Sequence, residues 1–205
     1  RRGNPRVVGG GFEGQDKGAS KQMTQEEVLK SVVSRLQGLR IPYMITGAIA
    51  VNYYGRPRLT HDLDLIVELE VSMVEGIVSS FQSDFYIVTE GLLEALQHRT
   101  MFNALHHDTG LKVDFWLKGG DEYDATRFQR RKKRKIFDEM MFITTAEDLM
   151  IIKLKWYRDS SSEKHYLDAS GVYEVQRGNL DSRYMKRWLS YFSVLDLFER
   201  IKTQS

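Results

Sequence analysis

The sequence predicts an α/β fold of the α+β kind: a mixed sheet with flanking helices, followed by an all-helical bundle. Three observations carry this. Tyr43–Val67 alternates between apolar runs and Gly or Pro breaks as strand, turn, short helix, turn and strand. Two further apolar strand patterns follow at Leu111–Leu117 and Lys135–Ile143. After Thr145 only helical periodicity remains. The expected organisation is therefore a leader at 1–22, an α/β unit at 23–143 and a helical unit at 144–205.

Each element has a local reason. Thr24-Gln-Glu-Glu27 is a capping box, and Val28, Val32, Leu36 and Leu39 recur behind it at helical spacing. Pro42 closes that helix and Tyr43–Thr46 reads as a buried strand. Ala48–Tyr54 is a short helix stopped by Gly55 and Pro57. A strand at Asp62–Leu69, a helix at Val71–Phe81, a short strand at Phe85–Val88 and a helix over Glu90–Gln97 follow. Met101–Leu105 and Leu111–Leu117 pair across His106-His-Asp-Thr-Gly110, a turn by composition. Seven of the nine residues in Arg127–Lys135 are basic, and this run reads as a solvated loop leading into the strand Lys135–Ile143, with contact to a polynucleotide backbone as the alternative. Thr145-Ala-Glu-Asp148 caps a helix at Ala146–Tyr157, and Ser162–Glu174, Asp181–Tyr191 and Val194–Ile201 complete the bundle.

Composition bounds the function. The 205 residues are 41% hydrophobic and 28% charged with a net charge of +2, ordinary for a soluble globular chain. Residues 1–22 are rich in Gly and carry five Arg/Lys against two Asp/Glu, so the remainder is 25 minus 26, or −1. The basic pI is thus weak evidence for nucleic-acid binding. The leader is expected to be disordered or not native to the protein, with Met23 as the start. The absence of cysteine removes disulfides, thiolate metal sites and Cys nucleophiles, and suits a reducing cytoplasm. No apolar run approaches the ~18 residues that span a bilayer, and no secretory h-region stands at the N-terminus.

The chemistry concentrates at Asp62-Leu63-Asp64. Carboxylates at i and i+2 on a strand share a face, and their repulsion calls for a cation. A Gly turn fifteen residues upstream, at Gly47, supplies backbone N–H groups to cradle a phosphate. Asp114, a charge inside the apolar strand Leu111–Leu117, is costly to bury unless paired or metal-bound. Three carboxylates, a Gly turn and a helix N-terminus suit magnesium or manganese and a nucleoside triphosphate.

These residues also carry a resemblance. Gly47-Ala48, then Gly55-Arg-Pro-Arg-Leu-Thr-His-Asp-Leu-Asp64, then Val113-Asp-Phe115 resemble the DNA polymerase beta-type nucleotidyltransferase superfamily, and within it the minimal bacterial branch related to abortive-infection (AbiEii-like) nucleotidyltransferases. Thr145–Leu154, Lys164–Asp168 and Tyr184–Trp188 resemble that branch's helical segments. The resemblance implies Asp62, Asp64 and Asp114 as metal carboxylates and Gly47 as the turn facing the triphosphate. It implies Arg58 and Thr60 as supports of the loop before the carboxylates, and Lys153 as a phosphate contact from the helical half. The superfamily usually places Ser after the Gly; this chain has Ala48.

The resemblance implies transfer of an NMP from an NTP to a hydroxyl of an RNA end, a protein or a small molecule. The rival is a nucleotidyltransferase-fold module that works by binding a partner from a neighbouring gene, as in a toxin–antitoxin pair. Simpler roles stand beside the catalytic ones. Arg58 pairs equally well with Asp62, Lys153 and Lys155 suit a solvated helix face, and Lys164 with Asp168 suits a surface i, i+4 pair. His61 points away from Asp62 and Asp64, and His106-His107 lacks a third ligand.

Overall fold

A computed structural model describes residues 23–204 of the chain. The expectations for the leader 1–22 lie outside the described residues.

The first helix, α1 (Gln25–Gly38), starts at the predicted capping box: Thr24 Oγ1 accepts from Glu27 N, and the Glu27 carboxylate accepts from Thr24 N at 2.7 Å. Its buried stripe is Val28, Leu29, Val32, Val33 and Leu36. Each such side chain contributes about 1.5–3 kcal/mol on burial. β1 (Tyr43–Ile45), α2 (Gly47–Tyr54) and β2 (Asp62–Val67) follow in the predicted order. The predicted helix Val71–Phe81 begins with a 3-10 turn at Val71–Met73 and becomes α3 at Val74–Phe81. β3 (Phe85–Ile87), α4 (Thr89–His98), β4 (Met101–His106) and β5 (Lys112–Leu117) lie within a residue or two of their predicted bounds.

The stretch after β5 departs from the sequence reading. Glu122–Gln129 is a helix, α5, capped by Asp121, whose carboxylate accepts from Asp124 N at 2.7 Å. The basic run is the end of that helix plus an edge strand, not a loop. The predicted strand Lys135–Ile143 is instead a hairpin, β6 (Lys132–Ile136) and β7 (Glu139–Ile143), turning at Phe137 and Asp138. Both turn residues have positive φ, +47° and +65°, as a two-residue hairpin needs to match strand twist. Phe-Asp is a poor sequence signal for that turn, so the break was hidden. His106 also differs from its turn assignment: it ends β4, is buried, and its Nδ1 lies 3.0 Å from Thr109 Oγ1.

The seven strands form one sheet in the order β3-β4-β5-β2-β1-β7-β6. β2 runs parallel to β5 and β1 parallel to β7; the other pairs are antiparallel. Register divides the sheet into two unlike faces. Leu63, Leu65, Val67, Val113, Phe115, Phe102 and Ala104 are buried on one face, within the core that α1 joins. Asp62, Asp64, Lys112, Asp114, Trp116 and Asn103 share the other.

The chain ends in four helices, α6 (Ala146–Ser160), α7 (Glu163–Gln176), α8 (Ser182–Tyr191) and α9 (Leu195–Gln204). Thr145 caps α6 through Asp148 N, and Asp181 caps α8 through Tyr184 N. One hydrophobic core continues from α1 across the sheet to Met150, Trp188 and Ile201, so it crosses the predicted boundary at 143/144. No helix among the described residues is long and apolar enough to cross a membrane.

A candidate nucleotidyl-transfer site at the head of the central strands

β1 ends against β2, where Thr46 N donates to Asp64 O at 3.0 Å. The chain then turns into α2 through Gly47, whose φ of +60° lies in the left-handed region. A Cβ at position 47 would overlap the Asp64 carboxylate, so only glycine allows the turn to close on that side chain. Thr46 gives α2 no side-chain cap. The first-turn N–H groups of α2 therefore have no side chain serving them, the arrangement that favours an anion. Ala48, next along, is buried and brings no hydroxyl.

The carboxylates come from adjacent strands. β2 and β5 are parallel with Asp64 opposite Asp114 and Asp62 opposite Lys112, so all three aspartates lie on one face. Asp62 is exposed, Asp64 intermediate and Asp114 buried. Burial pushes the Asp64 carboxyl up from its ordinary value; a long contact from Trp116 Nε1 at 3.5 Å opposes this, and the Asp114 and Asp62 charges reinforce it. Asp114 is held by Lys112 Nζ at 3.0 Å and Asn103 Nδ2 at 3.5 Å.

This set fits a divalent cation by donor chemistry: hard oxygen donors from one sheet face, with mutual repulsion left over at Asp64. Its arrangement is open rather than closed. Among the described residues no group of three or more His, Asp or Glu side chains is gathered tightly enough to hold a metal ion. Lys112 occupies one side of Asp114.

The Gly55–His61 loop before β2 is pinned at Gly55, Arg58 and Thr60. A Cβ on Gly55 would lie 2.8 Å from Val172 N, so α7 backs directly onto the loop. Asn52 clamps Arg58 through both backbone groups, at 2.9 and 3.0 Å. Gln25 Nε2 donates to Thr60 O at 3.1 Å, and Thr60 Oγ1 accepts from Asp62 N at 3.3 Å.

Arg58 does not pair with Asp62. It grips Asp168 of α7 through two nitrogens, at 2.8 and 3.1 Å. Lys153 takes the other side of the same carboxylate at 2.8 Å. This corrects two expectations. Lys153 does not face water: its side chain is only 4% exposed and bound to Asp168. Asp168 turns inward, away from the expected surface pair with Lys164. Burial raises the Asp168 carboxyl, yet the Arg58 and Lys153 hydrogen bonds outweigh it and hold the group below its ordinary value. Burial lowers the Lys153 ammonium, with Asp168 opposing.

Beside Asp64 a cavity of about 360 Å³ opens between the sheet and the helical half, lined by Thr46, Ile66, Trp116, Tyr123, Lys155 and Trp156 among others. The Trp116 and Trp156 rings lie 6.3 Å apart, tilted by 36°. The sequence reading missed Lys112, Asn103 and Trp116. Period-two spacing from Asp114 points to Lys112 and Trp116, whereas Asn103 emerges only from pairing across strands.

No family model matches the chain, and no curated protein matches it. Solved structures do. An antigenic nucleotidyltransferase-like protein from Paracoccidioides brasiliensis is 17% identical, with 86% of this chain and 91% of that one covered and a TM-score of 0.54. ANT(2'')-Ia in complex with adenylyl-2''-tobramycin is 12% identical, covering 83% and 98%, with a TM-score of 0.58. The lincomycin-bound lincosamide antibiotic adenylyltransferase LnuA is 10% identical, covering 75% and 99%, with a TM-score of 0.51. At these identities the likeness is one of fold: the chain has the nucleotidyltransferase fold.

Proposed function

We propose that this protein is a metal-dependent nucleotidyltransferase that moves an NMP from an NTP to a hydroxyl acceptor. One observation carries the reading. Asp64 and Asp114 stand opposite each other on adjacent parallel strands, and a left-handed Gly47 is pressed against the Asp64 carboxylate. A core does not require that combination; a phosphate-binding turn beside a cation site does.

In this reading the Gly47 turn and the first turn of α2 receive the triphosphate through backbone N–H groups. Asp62, Asp64 and Asp114 would hold magnesium or manganese, which when bound neutralises phosphate charge and lowers the pKa of the attacking hydroxyl. Asp114 lies on the acceptor side and takes up that proton as the hydroxyl oxygen bonds to the α-phosphorus and pyrophosphate leaves. Arg58 and Lys153 act through Asp168, locking the loop that aims Asp62. The cavity at Trp116 and Trp156 seats a nucleoside or a small acceptor. A cytoplasmic setting and an AbiEii-like bacterial branch belong to the same proposal.

Two features favour a second reading, a module that keeps the fold and works by binding a partner protein. They are Ala48 in place of a hydroxyl and the Lys112 ion pair on Asp114. Incubation with each labelled NTP, magnesium or manganese, and host RNA and protein separates the two. The transferase reading expects label on an acceptor with wild-type protein and none with Asp62→Ala. If neither protein consumes any NTP while both hold a co-purifying partner, the binding reading takes its place.

A further inference from the structure

The edge strand β6 and the pocket at its end form a second surface next to the candidate site. Lys132, Lys133, Arg134 and Lys135 are consecutive and all exposed. Among the described residues β6 is the last strand of the sheet, and no strand pairs with its outer edge. Consecutive side chains project to opposite faces, with those on one face about 6.7 Å apart, setting cations on both flanks of the edge. Lys135 pairs with Asp138 in the turn. Lys132, Lys133 and Arg134 have no carboxylate within ion-pairing distance among the described residues.

Edge strands often carry lysines simply to discourage pairing with other chains. That role does not account for what lies beside this one. Lys135, Ile136 and Phe137 line a pocket of about 400 Å³ together with Tyr53, Leu59, Arg58 and Thr60. Tyr53 is 40% exposed, Phe137 37% and Leu59 95%, an apolar and aromatic group left open at the end of a cationic strip. Protecting an edge would bury or remove such side chains. The same pocket is walled by Arg58 and Thr60, and Thr60 is bonded to the backbone of Asp62.

We propose that β6 and the Tyr53–Leu59–Phe137 pocket bind single-stranded nucleic acid and lead its terminal hydroxyl toward Asp62. The β6 cations follow the phosphate backbone, and Tyr53 and Phe137 offer faces on which bases stack. An acidic peptide would be drawn by the charge but has no use for the aromatic faces. That the bound strand is the acceptor rests on the transferase reading; that it binds does not.

The test is fluorescence anisotropy of the full chain with a labelled single-stranded RNA of about 20 nucleotides, without NTP or divalent metal, over a range of salt. Wild-type protein should bind with marked salt dependence. Lys132→Gln/Lys133→Gln/Arg134→Gln should weaken binding at least tenfold and reduce the log–log salt slope by about 2, near 0.7 per lost contact. Tyr53→Ala should weaken binding about fivefold or more, and Tyr53→Trp should restore it. Unchanged affinity and slope in the triple variant would overturn the surface, as would equally tight binding of polyglutamate. The two readings fail separately. RNA held through β6 but never labelled removes transfer and keeps the surface; RNA labelled equally with and without the β6 cations removes the surface and keeps transfer.

Discussion

Two carboxylate sites lie close together in this molecule, and they are built in opposite ways. At Asp168 one carboxylate is shared by two cations, Arg58 and Lys153, with three hydrogen bonds between 2.8 and 3.1 Å. At the head of β2 and β5 three aspartates, Asp62, Asp64 and Asp114, share a face; Lys112 pairs with Asp114, while Asp64 has a long contact from Trp116 and feels the charge of Lys153. In the first site two cations meet one carboxylate, and the cluster holds α6, α7 and the Gly55–His61 loop together. The second is left with surplus negative charge on a rigid sheet. Structural ion pairs settle charge within the fold, whereas a site that takes a ligand leaves charge for the ligand to settle.

Substitutions should separate the two. Asp64→Asn has the largest expected effect on activity, a loss of about a thousandfold or more in transfer of label from NTP, because it removes charge that acts on the transition state. The same variant should melt higher than wild type in EDTA, since it relieves repulsion; magnesium should raise the melting temperature of wild type and leave Asp64→Asn unmoved. A lower melting point in EDTA would show that Asp64 is structural.

Asp168→Ala should act the other way. It strands Lys153 as a buried, unpaired cation and should cost about 3–5 kcal/mol in urea unfolding. Gly47→Ala adds a Cβ where the Asp64 carboxylate sits and forces a left-handed backbone on alanine, costing at least about 1–2 kcal/mol. It should also depress transfer further than its loss of stability explains.

Acid titration sharpens the contrast. Asp168 titrates below its ordinary value, so its stabilisation is present above about pH 4 and is lost as pH falls through the lowered folded value. Asp64 titrates above its ordinary value, so its contribution is fully present below about pH 4 and is lost as pH rises through the raised one. In EDTA, the stability gap between wild type and Asp168→Asn should therefore shrink toward acid, and the gap between Asp64→Asn and wild type should grow toward neutral pH. The smallest effect is at Ala48→Ser. One added hydroxyl at the start of α2 should tighten NTP binding about two- to tenfold, in line with a net hydrogen bond of about 0.5–1.5 kcal/mol.

The pattern of what could be read in advance follows physical range. The capping boxes and caps at Thr24, Thr145 and Asp181 are local, and their helices begin where the sequence places them. Helix α5 was hidden because only Tyr123 and Phe128 of its eight residues are buried, too few for a periodic signal. Its real mark is Asp121 with an acidic first turn and Arg127 in the last. The β6–β7 break was hidden because tertiary pairing imposes positive φ on Phe137, a bulky residue that does not favour it, and no Gly follows Asp138 to mark the turn.

By itself the sequence determined that Asp62 and Asp64 share a face, since strand period fixes that, and that a Gly turn precedes them. It also placed a charged Asp114 inside an apolar strand. Only the tertiary structure decided that β5 lies parallel to β2 in the register that sets Asp114 beside Asp64. It also decided that Gly47 closes on Asp64, and that Lys153 and Arg58 meet on Asp168, a residue 110 positions beyond Arg58. Periodicity and capping act over a few residues and are written locally. Charge pairing and strand register depend on which distant segments burial brings together, and that choice belongs to the whole core.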